Sequence, residues 1–136
     1  MAEANSQAVQ DPPIVLDAAY SDELERLAAT AMRGAAAELG DRLMQEVARA
    51  EVVPSGEMPA DVVNIGSAVT FRDEATGRVQ QVTIVLPREA DIARQRVSVL
   101  TPIGAALIGL AKGASIGWET REGEARRLTV LEVGRG

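Results

Sequence analysis

Neither cysteine nor histidine occurs anywhere in the 136 residues. The first absence excludes disulfides, thiol nucleophiles and the common cysteine-rich zinc sites. The second removes the usual general base near neutral pH, and with it any Ser-His or Cys-His nucleophile pair. Aromatic residues are nearly as scarce, being limited to Tyr20, Phe71 and Trp118. The core must be assembled from Val, Leu, Ile and Ala, with little left for stacking on bases or lining an aromatic ligand pocket. Lysine is present only as Lys112. No apolar run approaches the roughly 18 residues a membrane span requires. The opening MAEANSQAVQDPP has neither the basic start nor the apolar stretch of a secretory leader. A cytoplasmic chain is expected, with no membrane partner, no metal or other cofactor, no catalytic residue and no enzymatic activity.

What is present suits a small folded protein. Hydrophobic residues make up 46% and charged residues 25%, the balance of a globular chain rather than a disordered one. The length fits one compact body with a minor appendage. The net charge of −6 is unevenly placed. Residues 1–66 carry 12 Asp/Glu against 4 Arg, whereas residues 67–136 carry 8 Asp/Glu against 10 Lys/Arg. An acidic front half repels a phosphate backbone, so direct nucleic-acid binding is not expected and a basic protein surface is the more natural partner.

Along the chain, residues 1–13 are polar, end in Pro12-Pro13 and read as a disordered tail. Ser21 is a candidate N-cap followed by first-turn carboxylates. Leu24, Leu27, Ala28, Ala31 and Met32 then recur at helical spacing, and Ala36, Leu39, Leu43, Val47 and Ala50 form a second stripe. The pair predicts an antiparallel helical hairpin, with helices over Ser21–Arg33 and Ala35–Val52, closed by Pro54-Ser55-Gly56. The break is placed at Arg33-Gly34, because glycine favours helix termination; Gly40-Asp41 is the rival site. Glu38, Asp41 and Glu46 read as a solvated face.

From residue 57 the character changes. Val69 and Phe71 alternate with polar neighbours as a strand, Asp73–Gly77 forms a turn, and Arg78–Leu86 is a second, more buried strand. A charged loop over Pro87–Arg94 precedes a short strand at Val97–Leu100. Thr101 then caps a helix with Pro102 at its first position, running to Leu110. Lys112 suits a helix C-terminus, and Ala114–Thr120 with Ala125–Val133 closes as a hairpin. Gly104 and Gly109 read as packing positions, and Trp118 as core or half-buried. The fold class is α+β, an antiparallel sheet with one short helix behind a helical hairpin.

Particular residues carry a family resemblance. Asp61-Val62-Val63-Asn64-Ile65-Gly66-Ser67-Ala68-Val69-Thr70-Phe71 resembles the first strand of the Gre-factor C-terminal domain. The run Val97-Ser98-Val99-Leu100-Thr101-Pro102-Ile103-Gly104 is similar to that domain's most distinctive motif, a Ser-Pro or Thr-Pro step leading into a helix rich in small residues. Ala48–Pro54 and Glu57–Val63 resemble the Rnk branch, the regulators of nucleoside diphosphate kinase. The resemblance spans about residues 61–133 and implies a short coiled coil (residues 14–56) joined to an FKBP-like domain (residues 57–136). It further implies docking at the rim of the secondary channel of bacterial RNA polymerase. By family analogy Leu100, Thr101, Pro102 and Ile103 are the docking residues, although Thr-Pro caps helices in any fold and Leu100 and Ile103 equally suit a core. Arg33, Gly34, Glu38 and Asp41 mark the hairpin tip or its channel-facing side. The predicted helices, about 20 and 27 Å long at 1.5 Å per residue, fall well short of the Gre coiled coil. The Arg33-Gly34 tip also offers no carboxylate to hold a metal ion.

The expected function is therefore competitive occupancy of the channel mouth without transcript cleavage, by a monomer or weak dimer. The alternatives are direct binding to nucleoside diphosphate kinase, an uncommitted interaction module and peptidyl-prolyl isomerisation. Three aromatics scattered along the chain argue against the last.

Overall fold

The computed structural model describes residues 12–120 and 122–135, so residues 1–11 of the expected tail lie outside the described residues. The chain opens with β1 (Val15–Asp17), α1 (Ala18–Met32), α2 (Ala37–Arg49) and β2 (Glu51–Val53). It continues through β3 (Ser67–Asp73), β4 (Val79–Val85), β5 (Arg96–Ser98), α3 (Pro102–Leu107), β6 (Ser115–Glu119) and β7 (Ala125–Arg135). This is the α+β layout expected from the pattern.

The first helix begins earlier than Ser21. Asp17 is its N-cap, accepting from the Ala19 amide at 2.8 Å. Both residue types cap well, but Asp17 is fixed by distant partners, with Ser55 Oγ donating at 2.6 Å and Asn64 Nδ2 at 2.9 Å. The helix–helix break falls at residues 33–36, at Gly34 rather than Gly40. Gly40 lies inside α2 and is buried where the helices touch; a Cβ there would sit 2.6 Å from the Met32 amide nitrogen. The second helix ends at Arg49 instead of reaching Val52, because the next residues pair as a strand. β2 runs parallel to β1, with Val15 opposite Glu51 and Asp17 opposite Val53.

The larger sheet has the order β5-β4-β3-β7-β6. Its pairs are antiparallel except for β4 and β5. β3 alternates as its sequence predicts, burying Ser67, Val69, Phe71 and Asp73. β4 was expected to be the more buried strand, yet Val79–Gln81 are exposed and only Ile84 and Val85 are buried within it. Its outer neighbour β5 reaches only Thr83–Val85.

One hydrophobic cluster joins Ile14, Leu24 and Leu43 of the N-terminal elements to Val69, Ile84, Leu107 and Leu128. The close approach of α3 depends on Gly104, where a Cβ would lie 2.9 Å from Val99 Cα and closer still to the Ser98 carbonyl oxygen. α3 stops at Leu107 rather than Leu110. The backbone beyond it turns away to pair, with the Gly109 amide donating to Val63 O at 2.9 Å and Gly109 O accepting from the Val15 amide at 3.1 Å. Lys112 is thus past the helix, and its ammonium pairs with Glu132 at 3.3 Å. Among the described residues, no helix is long and apolar enough to cross a membrane.

Candidate docking site

Val99, Leu100 and the N-cap Thr101 join β5 to α3, whose first two residues are Pro102 and Ile103. Thr101 Oγ1 accepts from the Gly104 amide at 3.0 Å and donates to Ser98 O at 2.7 Å. Ser98 Oγ accepts from the Leu100 amide at 2.9 Å. Threonine at an N-cap and proline at N1 form this turn because the hydroxyl satisfies an otherwise free amide and proline has none to satisfy. The side chains of Leu100, Thr101, Pro102 and Ile103 are half-buried, so each contributes to packing and still reaches the surface.

Pro102 opens on a cleft of about 1000 Å³ between the first turns of α2 and the β6–β7 end of the sheet. Glu38, Leu39 and Arg42 form the helical side, facing Trp118, Arg126 and Arg127. The fold therefore brings Glu38 to the same hollow as Pro102. It leaves Arg33 and Gly34 exposed at the hairpin turn, away from the cleft lining. Asp41 is exposed and accepts from Gln45 Nε2 at 2.9 Å. Ile103 faces a smaller hollow of about 210 Å³ shared with Phe71, Val82, Val97, Trp118 and Arg126. Two of the three aromatics thus share one hollow, whose remaining lining is aliphatic and polar. Strand register brings them together across residues far apart in sequence.

Glu46 is the clearest departure from the solvated face expected of α2, being only 3% exposed. Its carboxylate accepts from Arg42 Nε at 3.0 Å and Arg49 Nε at 2.8 Å. Arg42 also donates to Gly117 O at 3.2 Å, tying the hairpin to β6. Helical spacing of three and four residues permits these pairs. Burial of the central carboxylate comes from tertiary packing.

Across the cleft, buried Asp73 accepts from Arg126 Nη1 at 2.6 Å. Burial pushes the Asp73 carboxyl up, but the Ala75 amide and the Arg126 guanidinium outweigh it and hold its pKa below the ordinary value. Arg126 is raised by its hydrogen bonds to Asp73 and then Glu124, so it stays charged. Glu74, beside them, is lowered by the Thr129 hydroxyl and by Arg72. The site offers apolar surface beside guanidinium groups held by carboxylates. Arg42, Trp118 and Arg126 were missed as site residues. Their signal was the hairpin register that sets Trp118 opposite Arg126, together with the arginines of α2 at positions 42 and 49.

Comparison with known proteins agrees with this architecture. Residues 58–135 match the family model described as transcription elongation factor, GreA/GreB, C-term. The regulator of nucleoside diphosphate kinase of Escherichia coli K12 is 42% identical over 95 residues, covering 70% of each chain. The transcription elongation factor GreA of Azorhizobium caulinodans is 38% identical over 100 residues, covering 74% of this chain and 60% of its own. The solved structure of a prokaryotic transcription elongation factor GreA/GreB from Nitrosomonas europaea is 36% identical. It superposes with a TM-score of 0.69, covering 90% of this chain and 98% of that one. The family model alone spans more than half of the residues, and the chain belongs to the GreA/GreB family of transcription elongation factors.

Proposed function

We propose that this protein is a docking-only regulator of transcription. It binds bacterial RNA polymerase at the rim of the secondary channel through Leu100, Thr101, Pro102 and Ile103, and excludes Gre-type factors from that place. The observation that carries the reading is the Thr101-Pro102 cap, held by hydrogen bonds on both sides and opening on a cleft large enough for a partner side. Preorganisation of this kind lowers the entropy lost on association.

The hairpin supports the absence of transcript cleavage. Helices of 15 and 13 residues extend about 22 and 20 Å at 1.5 Å per residue. The connecting residues Arg33-Gly34-Ala35-Ala36 hold no carboxylate with which to position a metal ion. In this reading residues 14–56 are a short arm and residues 57–136 the docking domain.

The test is competition for core RNA polymerase against a labelled Gre factor, followed by transcript cleavage on stalled complexes. Displacement without cleavage is expected, and Pro102→Ala and Leu100→Lys should each weaken displacement about tenfold. Failure to displace at high micromolar concentration overturns the docking reading, and cleavage overturns the division of labour. The name of the 42% identical relative favours a second reading, direct binding to nucleoside diphosphate kinase. Titration of the purified pair checks it.

A further inference from the structure

Trp118 on β6 and Arg126 on β7 are directly opposed in the antiparallel register. Opposed residues in such a pair point to the same face, with Cβ atoms about 4.5–5.5 Å apart. Both line the cleft beside Pro102 and the smaller hollow behind it. Each carries a buried donor that meets no acceptor: indole Nε1 of Trp118 and Nε of Arg126. Among the described residues these are the two buried side-chain polar atoms left without a partner, and such groups are ordinarily satisfied.

Each N–H can only donate, so what it lacks is an acceptor, of which oxygen is the usual one in proteins. Charge decides which oxygen. The remaining guanidinium nitrogens of Arg126 are held by Asp73 at 2.6 Å and Glu124 at 3.0 Å. Two carboxylates already offset its single positive charge, and Asp73 also lines the smaller hollow, whereas Arg42 and Arg127 line only the outer cleft, so a neutral carbonyl is favoured there over a third carboxylate. The surroundings select further. Leu39, Pro102, Phe71, Val82 and Ile103 supply apolar wall on either side, fitting an amide carbonyl flanked by aliphatic side chains.

We propose that the Trp118–Arg126 pair is a carbonyl-capturing subsite for a partner polypeptide, accepting one backbone carbonyl oxygen while an adjacent aliphatic side chain enters the hollow lined by Phe71 and Ile103. The inference rests on the polymerase-docking reading for the identity of the partner but not for the chemistry of the subsite. Because the donors are closed to bulk water, the segment must part the cleft wall as it enters and seal it again with its own apolar surface.

Trp118→Phe keeps an aromatic ring and deletes the indole N–H. In the full chain it should weaken binding to core RNA polymerase about 5–10-fold, the worth of one hydrogen bond. Loss of the unsatisfied donor and loss of ring volume against the core act in opposite directions on the free protein, so thermal unfolding serves only to show that the variant is folded when its binding is read. Binding within twofold of wild type overturns the proposal and leaves a trapped water as the acceptor. If the unmodified protein does not bind polymerase, the docking reading fails and the subsite is decided separately. Trp118 is the only tryptophan, so a ¹⁵N-labelled sample gives one indole resonance. Addition of 10 mM N-acetyl-Leu-Ala-Leu methylamide should move it downfield, while 10 mM isobutyrate should not. An unmoved resonance ends the proposal, and a response to isobutyrate alone ends the preference for a neutral oxygen.

Discussion

Replacing Gly104 with alanine sets two physical effects against each other at the docking segment. Alanine favours helix over glycine by up to about 1 kcal/mol, and Gly104 lies within α3. On propensity alone the variant would be more stable. The added methyl, however, would lie 2.9 Å from Val99 Cα and press harder still on the Ser98 carbonyl oxygen. Those atoms are backbone, so no rotamer change relieves the overlap and α3 must move off β5. Overpacking of a filled core costs about 1–3 kcal/mol, and an immovable obstacle places this case at or above the upper end. The net loss is about 2 kcal/mol, which for a chain of this size lowers Tm by roughly 6–10 °C. Thermal unfolding followed by circular dichroism reads this directly. Gly56→Ala, whose new methyl meets nothing within 4 Å, serves as the control and should leave Tm nearly unchanged. A Gly104→Ala protein as stable as wild type, or more so, would refute the view that close helix–sheet contact fixes the Thr101-Pro102 cap. In the folded fraction of the variant, weakened displacement of a Gre factor should accompany the shift.

Three further outcomes follow from the buried polar groups and the core. Asp17 is pushed up by burial but pulled lower by Ser55, Ala19 and Asn64, and Asp73 is lowered likewise. Both therefore bind fewer protons folded than unfolded, so their contribution is complete above the ordinary aspartate value of about 3.9 and is lost as pH falls through the depressed folded values. The urea midpoint should drop below pH 4, less steeply for Asp17→Asn/Asp73→Asn; equal slopes for the two proteins would contradict the assignment. Glu46→Ala should cost about 1–3 kcal/mol in urea unfolding, below the fully buried limit because its arginine partners are 27% and 28% exposed. A change within about 0.5 kcal/mol would mark Glu46 as an ordinary surface carboxylate. Leu43→Ala, fully buried in the shared cluster, should cost about 2–5 kcal/mol in the same assay. A smaller loss would mean that the hairpin is not packed into the common core.

Local rules made a good part of this protein legible in its sequence. Helical spacing of apolar residues located both hairpin helices, alternation located β3, and the Thr101-Pro102 pair marked the start of α3, because caps and amphipathic stripes depend on residues close in sequence. The motif around Val97–Gly104 also carries the resemblance to the Gre family in its residues alone. What the sequence left open depends on partners distant along the chain. Asp17 replaced Ser21 as the cap because Ser55 and Asn64 fold onto it. The pairing of β1 with β2 ended α2 early, and a three-residue strand has no periodicity by which to be recognised. Glu46 appeared solvated because helix position alone cannot show what covers a face. The meeting of Phe71 with Trp118, and of Trp118 with Arg126, was decided by sheet register. That register joins β3, β6 and β7 into a single wall, and with it the proposed docking cleft comes into existence only in the folded chain.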